Sequence, residues 1–174
     1  GERVLLYAPT WRDDRQEIVD FLDPAGLAAA TGAVVLVRGH SRTLIPGSDA
    51  HGARVIDVTG YPDTAPLLLA ADALITDYSS VMFDYGVTGR PMYFLVPDIE
   101  HYRGELRGFY FDLAAHAPGP LVRTQDELVA ALAEDPATYA ERYAAWTARF
   151  NARDDGRAAE RVVARILDSG YVSR

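Results

Sequence analysis

Leu74-Ile75-Thr76-Asp77-Tyr78-Ser79-Ser80 carries a buried-looking apolar run directly into residues that favour helix caps and corners. Helical spacing follows over 80–87, so the segment reads as a strand, a polar corner and a helix start. A helix start presents unpaired N–H groups and the positive end of its dipole, which together form a ready site for an anion. Ser79 and Ser80 would add hydroxyl donors to a phosphate there. Asp84, one turn further on, would accept bonds from ribose hydroxyls if it faces the same cleft. The plainer reading is that Asp77 or Ser79 only caps the helix and Asp84 is solvated.

The same pattern repeats on both sides of this segment. Short apolar runs at 4–8, 33–37, 54–58, 73–76, 92–96 and 121–123 are rich in β-branched residues or too short for helices. Helical spacing falls between them at 24–30, 64–71, 80–87 and 126–133. Asp23 before Pro24 reads as a cap with proline at the first helical position, and Thr124 with Glu127 fits a capping box. Strand and helix in alternation predict an α/β fold with a doubly wound parallel sheet, covered on both faces.

The last third reads as helical. Tyr139, Tyr143, Trp146 and Phe150 fall at i, i+4, i+7 and i+11, which predicts a core-facing stripe on a helix beginning near Pro136. A final helix follows Asp155 and Gly156 and ends near Leu167. With no repeat, linker or low-complexity tract, residues 1–174 are expected to form a single domain. Because the chain opens directly into a strand-like run, it is expected to be a piece of a longer protein.

Composition narrows the chemistry. The 174 residues are 49% hydrophobic and 24% charged, which fits a globular domain large enough to need no disulfide or metal staple. There is no Cys, which excludes thiol nucleophiles and thiolate zinc sites. There is no Lys either, so all 17 basic residues are Arg, against a net charge of −8. That sign opposes broad binding to nucleic acid but permits a local anion site, since the Arg fork matches phosphate. No apolar stretch reaches the roughly 18 residues of a membrane span, no signal peptide is evident, and no basic amphipathic helix suits anionic lipid.

In a doubly wound sheet, ligands bind beyond the carboxyl ends of the strands. The loops expected at that edge carry Thr10 and Arg12 after the first strand, and Arg38, Gly39, His40 and Ser41 after the second. Asp77, Ser79 and Ser80 follow the fourth, and His101, Arg103 and Arg107 the fifth. His40 would donate to a phosphate oxygen or protonate a leaving phosphate; otherwise it is a surface residue. Arg103 and Arg107, four apart, would share a face and clamp a diphosphate, or else lie solvated beside Glu100 and Glu105. No dense carboxylate cluster suggests a metal.

Several longer blocks carry a family resemblance. Leu6-Tyr7-Ala8-Pro9-Thr10-Trp11-Arg12-Asp13, then 74–80 with Phe83-Asp84-Tyr85, then Leu106-Arg107-Gly108-Phe109-Tyr110-Phe111-Asp112 and Pro118-Gly119-Pro120-Leu121 appear in order, and Asp155-Gly156-Arg157 extends them. Together they resemble the CDP-glycerol glycerophosphotransferases of bacterial teichoic acid synthesis. The resemblance implies the Rossmann-like C-terminal, nucleotide-donor half of a two-domain GT-B fold, here with C-terminal helices. It implies transfer of glycerol phosphate or a related polyol phosphate from a CDP-linked donor to a wall-polymer hydroxyl, with release of CMP.

Carried over by position, His40 is similar to the His of a basic residue, Leu, His, Pro motif, with Gly39 and Ser41 in place of the Leu and Pro. Ser79 and Ser80 match a hydroxyl pair beside the donor phosphates, and Asp84 a ribose-binding acid. The expected site is then His40, Ser79 and Ser80 for catalysis, with Thr10, Arg12, Arg38, Asp77, Asp84, Arg103 and Arg107 holding the donor, and neither cofactor nor metal. The acceptor-activating base is implied to lie in an N-terminal half, which leaves this segment inactive alone. The partners implied are CDP-glycerol and a lipid-linked acceptor at the cytoplasmic face of the membrane, without insertion of this segment. Two other readings stay open: a sugar-nucleotide glycosyltransferase donor domain, and a degenerate polymer-binding or assembly module.

Overall fold

Six short strands lie side by side, every neighbouring pair parallel: β1 (Val4–Tyr7), β2 (Val34–Val37), β3 (Val55–Asp57), β4 (Ala73–Thr76), β5 (Met92–Leu95) and β6 (Leu121–Val122). The computed structural model describes residues 1–10, 21–39, 54–102 and 110–170. The sheet order is β3-β2-β1-β4-β5-β6. From β1 the chain builds outward to β2 and β3, then returns to pair β4 against the free side of β1, with Leu6 opposite Leu74 and Tyr7 opposite Ile75. The direction of winding therefore reverses between β1 and β4, and sheets of this kind bind ligands beyond the strand ends at such a switch point.

Side chains alternate across the sheet, and both faces are apolar, as parallel strands require. On one face Leu6, Leu74, Met92 and Phe94 pack with residues of α2 (Ala65–Ala70), α3 (Val81–Gly86) and the later helix α7 (Ala140–Phe150). On the other, Leu5, Tyr7, Ala73, Ile75, Tyr93 and Leu95 meet α1 (Pro24–Thr31) and α6 (Gln125–Ala133). Every residue of β4 and of β5 is buried. The predicted α/β class and all six strands are present, each within about a residue of its expected bounds.

Local chemistry sets the helix starts. Asp23 accepts a bond from the Ala25 amide at 3.0 Å, and Pro24 occupies the first turn, where no N–H is missed. Thr124 Oγ1 accepts from the Glu127 amide at 3.2 Å, and the Glu127 carboxylate accepts from the Arg123 amide at 2.6 Å, closing the box one residue before the cap. Two short helices, α4 (Ile99–His101) and α5 (Leu113–His116), fall where no periodicity was long enough to announce them.

The C-terminal region differs from the sequence reading. The aromatic stripe does not lie on one helix: a 3₁₀ turn, Pro136–Tyr139, precedes α7. Of the stripe only Trp146 is fully buried, its ring stacked on Phe83 at 5.2 Å. The last helix, α8 (Ala158–Asp168), buries no residue, and Val162, Val163, Ile166 and Leu167 stand exposed along one side.

Candidate active site

The carboxyl ends of β1 and β4 are bonded to each other before the chain leaves the sheet. The Ala8 amide donates to the Ile75 carbonyl at 2.9 Å, and the buried Thr76 hydroxyl donates to the Ala8 carbonyl at 2.7 Å. Asp77, only 2% exposed, comes next. Its Oδ1 accepts from three backbone amides: Thr10 at 2.7 Å, Tyr78 at 2.5 Å and Ser79 at 3.2 Å. One carboxylate oxygen thus closes the corner of β4 and fastens it to the exit of β1, 67 residues away in sequence. Bonds to an ionised acceptor are stronger than neutral ones, which suits a single side chain holding two loops.

This arrangement changes the expected role of the helix start. The amides of Tyr78 and Ser79 point at Asp77, so the corner offers an incoming anion side-chain hydroxyls rather than those two N–H groups. The partly buried Ser79 accepts a long bond of 3.4 Å from the Val81 amide. Ser80 occupies the N-cap position but is already helical, at φ −61° and ψ −12°, whereas a capping side chain accepts from an amide two or three residues on while its own backbone is extended. Its hydroxyl makes no capping bond and is exposed. Helix α3 has only six residues, which limits its dipole.

On the β5 side, Tyr78 and Tyr102 stack with ring centroids 4.1 Å apart, and the Tyr78 hydroxyl donates to Asp98 at 3.0 Å. Both rings are 7% exposed. No sequence pattern announces this trio, because its members lie up to 24 positions apart. The only local signal was an aromatic residue wedged between Asp77 and the serine pair.

Of the other expected contacts, Arg38 donates through one nitrogen to the carbonyls of Val58 and Tyr61, at 3.2 and 2.9 Å. The Gly39 amide donates to Thr59 Oγ1 at 2.8 Å, so the exit of β2 is braced against the segment that follows β3. Thr10 lies at the corner through its amide. Asp84 is exposed on α3 and lines a groove of about 800 Å³ with Thr64, Leu68, Phe83, Phe150 and Asp154. His40, Arg12, Arg103 and Arg107 lie outside the described residues. Among the described residues, no group of His, Asp or Glu is arranged to hold a metal ion.

A parallel sheet whose switch point carries Asp77, Tyr78 and paired serines is the frame in which the blocks quoted above sit, and the family model for CDP-glycerol:poly(glycerophosphate) glycerophosphotransferase matches residues 1–168. The chain belongs to that family. It is 39% identical, over 95% of its own length, to the teichoic acid glycerol-phosphate transferase of Staphylococcus aureus, of which it covers 45%. The wall teichoic acid polymerase TagF superposes on 97% of the chain with a TM-score of 0.81 and 36% identity, the match covering 43% of that structure. A TagF variant soaked with CDPG matches with the same TM-score and 35% identity, over 44% of its chain. The chain therefore spans less than half the length of these relatives.

Proposed function

We propose that this chain is the donor-nucleotide half of a two-domain, GT-B-type glycerophosphotransferase. In this reading it holds CDP-glycerol, or a related CDP-polyol, while the polyol phosphate passes to a teichoic-acid-type wall polymer. The observation that carries the proposal is the family match over residues 1–168, with the Ser79 and Ser80 hydroxyls standing at the switch point of the sheet. The soaked TagF variant supports a CDP-linked donor.

In the proposed reaction an acceptor hydroxyl attacks the phosphorus that bears glycerol. The new P–O bond forms as the bond to the bridging oxygen breaks, and CMP leaves with that oxygen. Little covalent work falls to the protein, so positioned donors that meet the growing charge dominate. Ser79 and Ser80 supply hydroxyls at the diphosphate, His40 donates to or protonates the leaving phosphate, and Arg12, Arg103 and Arg107 balance its charge. Asp84 accepts from the ribose. Thr10, Arg38 and Asp77 act on the donor through the loops they hold. The base that takes the acceptor proton belongs to the other half, and the lipid-linked acceptor meets the full-length enzyme at the cytoplasmic face of the membrane.

The test is transfer from CDP-glycerol by the full-length protein. Ser80→Ala and His40→Ala should each lower kcat/KM by about 10²-fold, the scale for removing one donor from a developing charge. Unchanged transfer in both variants would refute the assignment.

A further inference from the structure

We propose that Tyr78 is a positioning residue for the donor site, through its hydroxyl bond to Asp98 and its stack on Tyr102. The inference rests on the donor-site reading above and concerns residues that reading does not use.

The register of the sheet explains why such a brace is needed. Strands β4 and β5 pair as far as Thr76 opposite Phe94, and beyond that point no ladder joins their exits. Asp77 fastens the corner to the β1 side through the Thr10 amide. Tyr78 supplies the fastening on the β5 side: its ring lies 4.1 Å from that of Tyr102 at an interplanar angle of 22°, and its hydroxyl meets Asp98 at 3.0 Å. Ser79 and Ser80, the next two residues, are thus set by a backbone anchored toward both neighbouring strands.

Packing alone does not account for the hydroxyl. A Phe at position 78 would stack as well and would bring no polar group into a site where the side chain is 7% exposed. A hydroxyl held on a carboxylate fixes the rotation and depth of the ring, and with them the direction in which the following serines leave the corner. A shift of a fraction of an ångström in those donors lowers their value to a bound diphosphate, because such sites depend on preorganised geometry.

The experiment is calorimetric titration of this 174-residue chain with CDP-glycerol, paired with thermal melting. The variants are Tyr78→Phe, Asp98→Ala, the double variant and Asp98→Asn. Tyr78→Phe keeps the stack, so the fold is retained. Tyr78→Phe and Asp98→Ala should each weaken donor affinity about 3- to 10-fold, the scale of one lost hydrogen bond. The double variant should bind no more weakly than either single one, and Asp98→Asn, which still offers an acceptor, should bind close to the parent. Donor affinity unchanged in Tyr78→Phe, with only the melting temperature lowered, would make the bond merely structural and overturn the proposal, as would fully additive losses. No binding by the parent chain would instead overturn the donor-site reading beneath it.

Discussion

The corner after β4 and the helix α8 are built on opposite terms. From Thr76 to Ser79 each side chain is bonded into its surroundings: Thr76 to Ala8, Asp77 to three amides, Tyr78 to Asp98, and Ser79 to Val81. Along α8 no residue is buried, and Val162 and Val163 are each more than half exposed. What tethers α8 lies at its start, where Arg161 grips both oxygens of Asp155 at 2.7 and 2.8 Å and Arg157 meets Glu160. That grip and the Arg157 amide hold the Asp155 carboxyl below the usual carboxylate range. The contrast separates what the fold needs from what it carries: the corner is determined within this chain, whereas the apolar side of α8 contributes almost nothing to the domain's own core.

Substitutions at the two regions should therefore differ in scale. The largest loss is expected for Asp77→Ala, which strands three amides at a buried corner and should cost about 3 kcal/mol in urea unfolding. Asp77→Asn keeps one acceptor oxygen and should cost roughly 1 kcal/mol. A stability-neutral Asp77→Ala would mean that the carboxylate is not the clasp described.

Next comes Gly86, where α3 passes close to α7. An added Cβ would lie 2.6 Å from Asn151 Oδ1 and 3.0 Å from Trp146 Nε1, both on buried residues, and Asn151 is held by bonds to the Phe83 carbonyl and Asp154. Gly86→Ala should lose about 1–3 kcal/mol through overpacking. Smallest of all, Val163→Ala on the exposed side of α8 should change stability by no more than about 0.5 kcal/mol. A loss of 2 kcal/mol there, roughly that of removing a buried aliphatic side chain, would erase the distinction between the two regions.

Strands and caps were legible because their signals are local. Runs of three to five largely apolar residues marked the sheet, and Asp23 and Thr124 announced their helices within a few positions. Asp77 was visible as a capping type, but its bond to Thr10 depends on which strands become neighbours, as does the bond from Tyr78 to Asp98. The guanidinium of Arg38, expected to meet the donor, braces carbonyls 20 and 23 residues away, partners that no local pattern announces. The stripe on α8 shows the opposite limit: apolar periodicity marks a face fit for burial, and only tertiary packing decides whether anything covers it.

The most direct test is a crystal of this chain soaked with CDP-glycerol. Diphosphate oxygens should lie within hydrogen-bond distance of the Ser79 or Ser80 hydroxyl, beside the exits of β1 and β4, with the Asp77 clasp still closed. Density for the nucleotide at another edge of the sheet, or none at ligand concentrations that saturate the chain in solution, would contradict the account.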